Sequence, residues 1–195
     1  ASLGRLLGDA TFGDTRVPLA AAALDLVSGR RVIFADGPLV DGVYASSAIP
    51  GLFEPFRVEA HVLVDGGWAE PVPVNTCHHL GAIHVVAVDV AQRHAHEAAR
   101  GAISTALLAD ALARELLEEG QLQEADFVVR PQATVKHFAD FSDAAGLIAA
   151  GERAAEAALP EIAQVLERHR SLFVRQLAPT PREPHATCHP TTEGS

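Results

Sequence analysis

The chain has 195 residues, about one domain with some surplus, and long enough to bury a core without disulfide or metal staples. Apolar residues make up 48% and charged residues 21%, which excludes a wholly disordered, collagen-like or coiled-coil chain. Fifteen Lys and Arg stand against 25 Asp and Glu, a net charge of −10 that phosphate backbones repel, so nucleic acid is not expected as a partner.

Ala1 to Asp14 lacks the basic region followed by an apolar one that marks a signal peptide. Val17 to Leu24 is a short apolar run closed by Asp25 and Ser28-Gly29, and Arg31 to Ala35 follows it. Together they predict two strands joined by a turn, a hairpin. Val40, Val43 and Tyr44 recur at helical spacing within Leu39 to Ser47, and Pro50-Gly51 ends that helix. His61 to Val64 reads as a brief strand ending on Asp65-Gly66-Gly67. Pro71 to Asn75 is excluded as a central strand because Pro lacks the ladder donor. His84 to Val90 is nearly all apolar, as in a strand buried on both faces of a parallel sheet. Leu108, Ala109, Leu112, Ala113 and Leu116 predict the inner stripe of a helix, with Asp110, Arg114 and Glu118 on its outer side and Gly120 as its stop. Asp126 to Pro131 is a short strand ended by Pro. Ser142 is the expected N-cap of a long helix, its stripe Ile148, Gly151, Ala155, Leu159, Ile162 and Leu166, kinked or divided at Pro160. From about Leu177 the chain turns rich in Pro, Thr and His, so residues 177–195 are expected to be a disordered tail. Alternating helices and short strands predict an α/β fold: a layered, mostly parallel sheet flanked by helices.

Several residues invite chemistry. Asp65 stands at a strand end on two glycines and can project into a cleft, although Asp-Gly also makes an ordinary tight turn. Cys77, His78, His79, His84, His94 and His96 lie within twenty positions, yet their spacing fits no zinc pattern and His78-His79 cannot face one metal from a regular element. No metal and no cofactor are expected, and His185, Cys188 and His189 in the tail add no geometry. None of the serines lies in Gly-x-Ser-x-Gly; Ser46 and Ser47, flanked by Ala and Ile-Pro, come nearest. No Gly-rich phosphate loop is present either. Two cysteines, Cys77 and Cys188, fit a reducing compartment, so a cytoplasmic location is expected.

One ordered set of segments is more specific. Ala45-Ser46-Ser47-Ala48-Ile49-Pro50-Gly51-Leu52-Phe53-Glu54-Pro55-Phe56 is followed by Val64-Asp65-Gly66-Gly67 and Pro71-Val72-Pro73-Val74-Asn75. With the Asp25-Leu26 and Ser28-Gly29 turn before them and Val85 to Asp89, Asp126 to Pro131 and Leu147 to Gly151 after them, they resemble the second half of a patatin-like phospholipase domain of the bacterial single-domain type. The resemblance covers roughly residues 10 to 168. It implies a lipid acyl hydrolase with a Ser–Asp dyad, in which Asp65 is the general base, Gly66 and Gly67 keep its turn compact, and Pro50 helps wall the site. Phe53 and Phe56 would line an acyl-chain cleft or pack in the core. The implied partners are a lipid or ester substrate and transient contact with a membrane surface. The family's oxyanion loop and Gly-x-Ser-x-Gly elbow have no counterpart in these residues. Residues 1–176 are therefore expected to be the C-terminal part of such a domain, N-terminally incomplete and carrying the Asp half of the site. The alternative is a non-catalytic remnant that binds lipid or a protein partner.

Overall fold

A computed structural model of the chain describes residues 2–91, 101–132 and 142–177. Contacts divide the chain into two units, Ala1–Ala158 and Leu159–Ser195. In chain order the elements are α1 (Ser2–Leu7), β1 (Ala21–Asp25), β2 (Arg30–Phe34), α2 (Leu39–Ser46), β3 (Phe56–Val58), β4 (His61–Asp65), α3 (Val74–His79), β5 (Val86–Val88), α4 (Ala102–Leu122), β6 (Phe127–Val129) and α5 (Ala144–Leu177). The tail expected from residue 177, together with His94, His96, His185, Cys188 and His189, lies outside the described residues, apart from Leu177 itself.

The fold is mixed α/β, but its main sheet is not parallel. Four strands in the order β2-β1-β4-β3 pair antiparallel throughout, and only β5 and β6 pair in parallel, as a separate two-stranded sheet. Connection length decides two of its three pairings. Four residues join β1 to β2, and Glu59-Ala60 alone join β3 to β4, too few for the crossover a parallel pair requires. Glu59 takes φ +50°, the left-handed value a two-residue hairpin demands of a central residue. The β5–β6 pair has its crossover, and α4 lies within it.

One face of the antiparallel sheet is the core. Ala23, Ala45 and Leu63 are buried together, with Val32, Phe34 and Phe56 packed against them. Phe56 also meets Tyr44 edge to face, ring centroids 6.0 Å apart. Phe56 is thus a core residue, whereas Phe53 is exposed. A second cluster, Val74, Val85, Ala87 and Leu122, joins α3, β5 and α4.

Three expected burial patterns are overturned. The strand around β5 is covered on one face only: Val85, Ala87 and Asp89 are buried, while Val86 and Val88 are 44% and 55% exposed. In α4 the expected faces are exchanged. Glu118 is buried and Arg114 half-buried, whereas Leu116 is 72% exposed. Arg114 and Gln121 of α4 face the loop of residues 68–72, where the Trp68 ring and the Val72 N–H are their partners, while Leu122 packs in the second cluster; the helix also continues past Gly120 to Leu122. In α5 the stripe is displaced: Ala150 and Ala158 are buried, and Ile148, Leu159 and Leu166 are exposed. Its first turn is capped by Asp143 rather than Ser142, through Gly146 N–H donating to Asp143 Oδ1 at 3.0 Å. Pro160 lies within the helix and does not divide it.

Candidate active site

Asp65 is the last residue of β4, opposite Ala23 of β1. The chain then winds into a 3-10 turn, Gly66–Trp68, which Asp65 caps: Gly67 N–H donates to Asp65 Oδ1 at 2.7 Å. Asp65 N–H donates to Ala48 O at 3.0 Å, so the residue is held from its backbone as well. Among the described residues nothing else hydrogen-bonds to this half-buried carboxylate, and Oδ2 is left able to accept a proton. Gly66 is required by space. A Cβ there would lie 2.2 Å from Ala22 O, closer than any side chain can come to a carbonyl oxygen. A Cβ on Gly67 would lie 3.0 Å from Asp65 Oδ1, against the bond that orients the carboxylate.

The other residues that the sequence singles out have surroundings of their own. Pro50 is exposed in the turn after α2, two residues beyond the Ala48 carbonyl that holds Asp65. Ser47 Oγ donates back to Val43 O at 2.7 Å, inside its own helix, and is committed there. His78 directs Nδ1 at Ala82 O (3.1 Å) and Nε2 at Glu124 O (3.3 Å). Two carbonyl acceptors favour the imidazolium, the Ala82 carbonyl foremost, and raise the His78 pKa. His84 Nδ1 lies 3.4 Å from Asp126 Oδ1. Among the described residues no group of three or more His, Cys, Asp or Glu could hold a metal ion.

Two further acidic residues are buried, Asp25, read from the sequence only as a turn residue, and Glu70, for which the sequence offered no role. Asp25 is 1% exposed and accepts from Ser28 Oγ (2.7 Å), Val27 N–H (3.1 Å), Val62 N–H (3.2 Å) and Ser28 N–H (3.3 Å), with His61 Nδ1 at 3.0 Å. The bonds to His61 and Ser28 hold its pKa far below the usual carboxylate range. An acid followed three residues on by Ser-Gly is the sequence trace of this arrangement. Glu70 is equally buried, and its carboxylate meets Arg31 Nη1, Thr76 Oγ1 and Thr76 N–H. Thr76 is six residues on, but Arg31 is 39 residues back, too far for a local pattern to announce.

From the other side, α4 clamps the same loop. Arg114 stacks on Trp68, its guanidinium 4.5 Å from the ring centroid, and Gln121 Oε1 accepts from Val72 N–H at 3.1 Å. A cavity of about 600 Å³ is lined among others by Phe12, Leu19, Ala22, Thr76, Cys77 and Leu80; none of the described residues lining it is charged, and none belongs to the Asp65–Trp68 turn.

Comparison with known proteins bears on this segment. A patatin-like phospholipase family model matches residues 2–78, which include Asp65, Gly66, Gly67 and Pro50. An uncharacterized NTE family protein of Mycobacterium tuberculosis is 34% identical over 85 residues, 44% of this chain and 24% of that relative. The neuropathy target esterase of Drosophila melanogaster is 31% identical over 85 residues, 43% of this chain and 6% of the esterase. Patatin-like phospholipase domain-containing protein 7 of Rattus norvegicus is 29% identical over 94 residues, 47% of this chain and 7% of that protein. The chain thus spans about a quarter, 24%, of the mycobacterial relative's length. The family match starts earlier than the resemblance read from the sequence and ends at His78.

Proposed function

We infer, from a patatin-like phospholipase segment at residues 2–78, that this chain contributes the carboxylate half of a Ser–Asp lipid acyl hydrolase, with Asp65 as general base. The observation that carries the reading is the Asp65 carboxylate itself: one oxygen fixed by Gly67 N–H, the other unengaged among the described residues, at a strand end. A base of this kind needs a fixed orientation and one free acceptor oxygen within reach of the hydroxyl it deprotonates. Asp65 Oδ2 takes the serine proton as the serine oxygen bonds to the ester carbonyl carbon, and returns it to the leaving alcohol as the acyl-serine forms. Water then repeats the cycle and releases the acid. The 195 residues contain no Gly-x-Ser-x-Gly, so the serine and the oxyanion donors come from other residues than these.

The test has two arms. The 195-residue chain alone is expected to turn over no p-nitrophenyl butyrate above background. Turnover that Asp65→Asn abolishes would show that a nucleophile is already present and would overturn the division of the site. The polypeptide read in frame with any Gly-x-Ser-x-Gly encoded ahead of Ala1 is expected to hydrolyse the ester, and Asp65→Asn to lower kcat by roughly 10²–10⁴-fold, the usual range for a general base. Retained kcat in that variant would remove Asp65 from the chemistry.

The second reading is a lipid- or protein-binding module without catalysis. It is favoured by the cavity, whose described lining is uncharged, and by the exposed row Val86, Val88 and Val90. In size-exclusion chromatography a monomer that stays compact on dilution counts against exposed unpaired edges and favours a self-sufficient module. No helix among the described residues is long and apolar enough to cross a membrane.

A further inference from the structure

Glu70 is a buried carboxylate that the proposed chemistry does not use. Its side chain is 2% exposed, and both oxygens are engaged by groups from two other elements. Thr76 N–H donates to Oε1 at 3.0 Å, while Thr76 Oγ1 and Arg31 Nη1 meet Oε2. Arg31 belongs to β2 and Thr76 to the first turn of α3. The Glu70 backbone meanwhile closes the turn that starts at Asp65: Glu70 N–H donates to Gly66 O at 2.8 Å, beside Ala69 N–H on the same oxygen at 2.9 Å.

The 3-10 turn is therefore pinned at both ends. Asp65 begins it, bonded forward to Gly67 N–H; Glu70 ends it, tied to a strand and a helix that take no part in the turn. A carboxylate this buried is costly unless every oxygen is paired, and here each is. A turn of this kind needs no buried acid to close it, since the two backbone bonds to Gly66 O already do so. What the acid adds is a fixed position for the turn relative to β2 and α3. We propose that Glu70 is a positioning residue for Asp65, holding the Gly67 N–H in line with Oδ1 so that Oδ2 keeps one direction.

The inference rests on the reading of Asp65 as the base, so its test is built on a readout other than activity. Amide hydrogen exchange on the ¹⁵N-labelled 195-residue chain reports Gly67 directly. The amides of Leu26, bonded to Val62 O, and Gly29, bonded to Asp25 O, report the far end of the β1–β4 pair. In Glu70→Gln and in Thr76→Val the Gly67 amide is expected to exchange on the order of ten-fold faster, with Leu26 and Gly29 changed less than about two-fold. Thr76→Val leaves the Glu70 charge in place, so a change common to both variants reports geometry and not field. Equal acceleration at all three amides would make Glu70 a general strut and overturn the proposal. So would a Gly67 response to Glu70→Gln that Thr76→Val fails to reproduce. If Glu70→Gln does not fold, the Thr76→Val arm decides alone. Activity retained in Asp65→Asn would sink the catalytic reading while leaving this exchange pattern untouched, so the two failures cannot be confused.

Discussion

Asp25 ends β1 and Asp65 ends β4, and because those strands run antiparallel the two carboxylates stand at opposite ends of one ladder. Asp25 is sealed from solvent and draws in two backbone N–H groups of its own turn, a third from Val62, the Ser28 hydroxyl and the His61 ring. Asp65 is half-buried and, among the described residues, its carboxylate receives one bond, from Gly67 N–H. The same residue type on the same sheet is thus committed to structure at one end and left with an unengaged oxygen at the other. The number of donors a carboxylate receives measures how far it is committed to the fold. Glu70 belongs with Asp25 by this measure, although it sits five residues from Asp65.

The comparison breaks most completely at Gly66, on which the Asp65 end depends. Gly66→Ala places a methyl 2.2 Å from a backbone oxygen of β1, and no rotamer relieves it. The expected cost is about 3 kcal/mol or more, or a fall in Tm of roughly 6–12 °C for a chain of this length. Calorimetry checks this, and an unchanged Tm would mean that β1 and the turn do not approach as described.

Asp25→Asn sharpens the other end. It keeps the shape but replaces an acceptor-only group with an amide whose NH₂ faces N–H donors. A clear loss of stability at neutral pH is expected. Because folding depresses the Asp25 pKa, its contribution is fully present above the ordinary carboxylate value and is lost as pH falls below about 4. Urea midpoints between pH 7 and pH 3 should therefore fall more steeply for the parent chain than for Asp25→Asn. Parallel curves would remove the special status of Asp25.

The hairpin end was the legible one. Apolar runs around a Ser-Gly turn predicted β1 and β2, and the spacing of Val40, Val43 and Tyr44 predicted α2, because each element is stabilised by neighbours close in sequence. The strand ending in Asp65-Gly66-Gly67 was legible for the same reason, with the glycines supplying the turn. The three residues of β3 escaped because Glu59, not Gly or Asn, takes the left-handed turn position. The parallel-sheet expectation failed because it was generalised from β5 to strands whose two- and four-residue connections forbid it. In α4 the apolar period was real, but periodicity assumes an apolar partner surface, and the helix meets a loop whose N–H and carbonyl groups need partners. Gln121 reaches that loop from far along the chain, and Glu70 within it is tied to Arg31 of β2, so no local window of sequence shows either.

That exchanged face of α4 is open to direct measurement. Gln121→Leu leaves the Val72 N–H without its acceptor and should cost about 1–3 kcal/mol, as for other orphaned buried donors. Leu116→Lys, which the sequence pattern would rank as a core lesion, should change stability by less than about 0.5 kcal/mol because the side chain is already 72% exposed. Both are read from urea unfolding at pH 7. The reverse order would restore the apolar stripe as the packed face.

The smallest stability effect belongs to Asp65 itself, and its size follows from the comparison. Asn can accept from Gly67 N–H as Asp does, so Asp65→Asn retains the one bond the carboxylate makes among the described residues and sacrifices only the charge. With no other partner to lose, the change in unfolding free energy should stay within about 0.5 kcal/mol. The same substitution at Asp25 should be visibly destabilising, since several donors there converge on one carboxylate. If Asp65→Asn unfolds the chain as readily as Asp25→Asn does, the two ends are alike, Asp65 is structural, and the case for it as a base loses its physical footing.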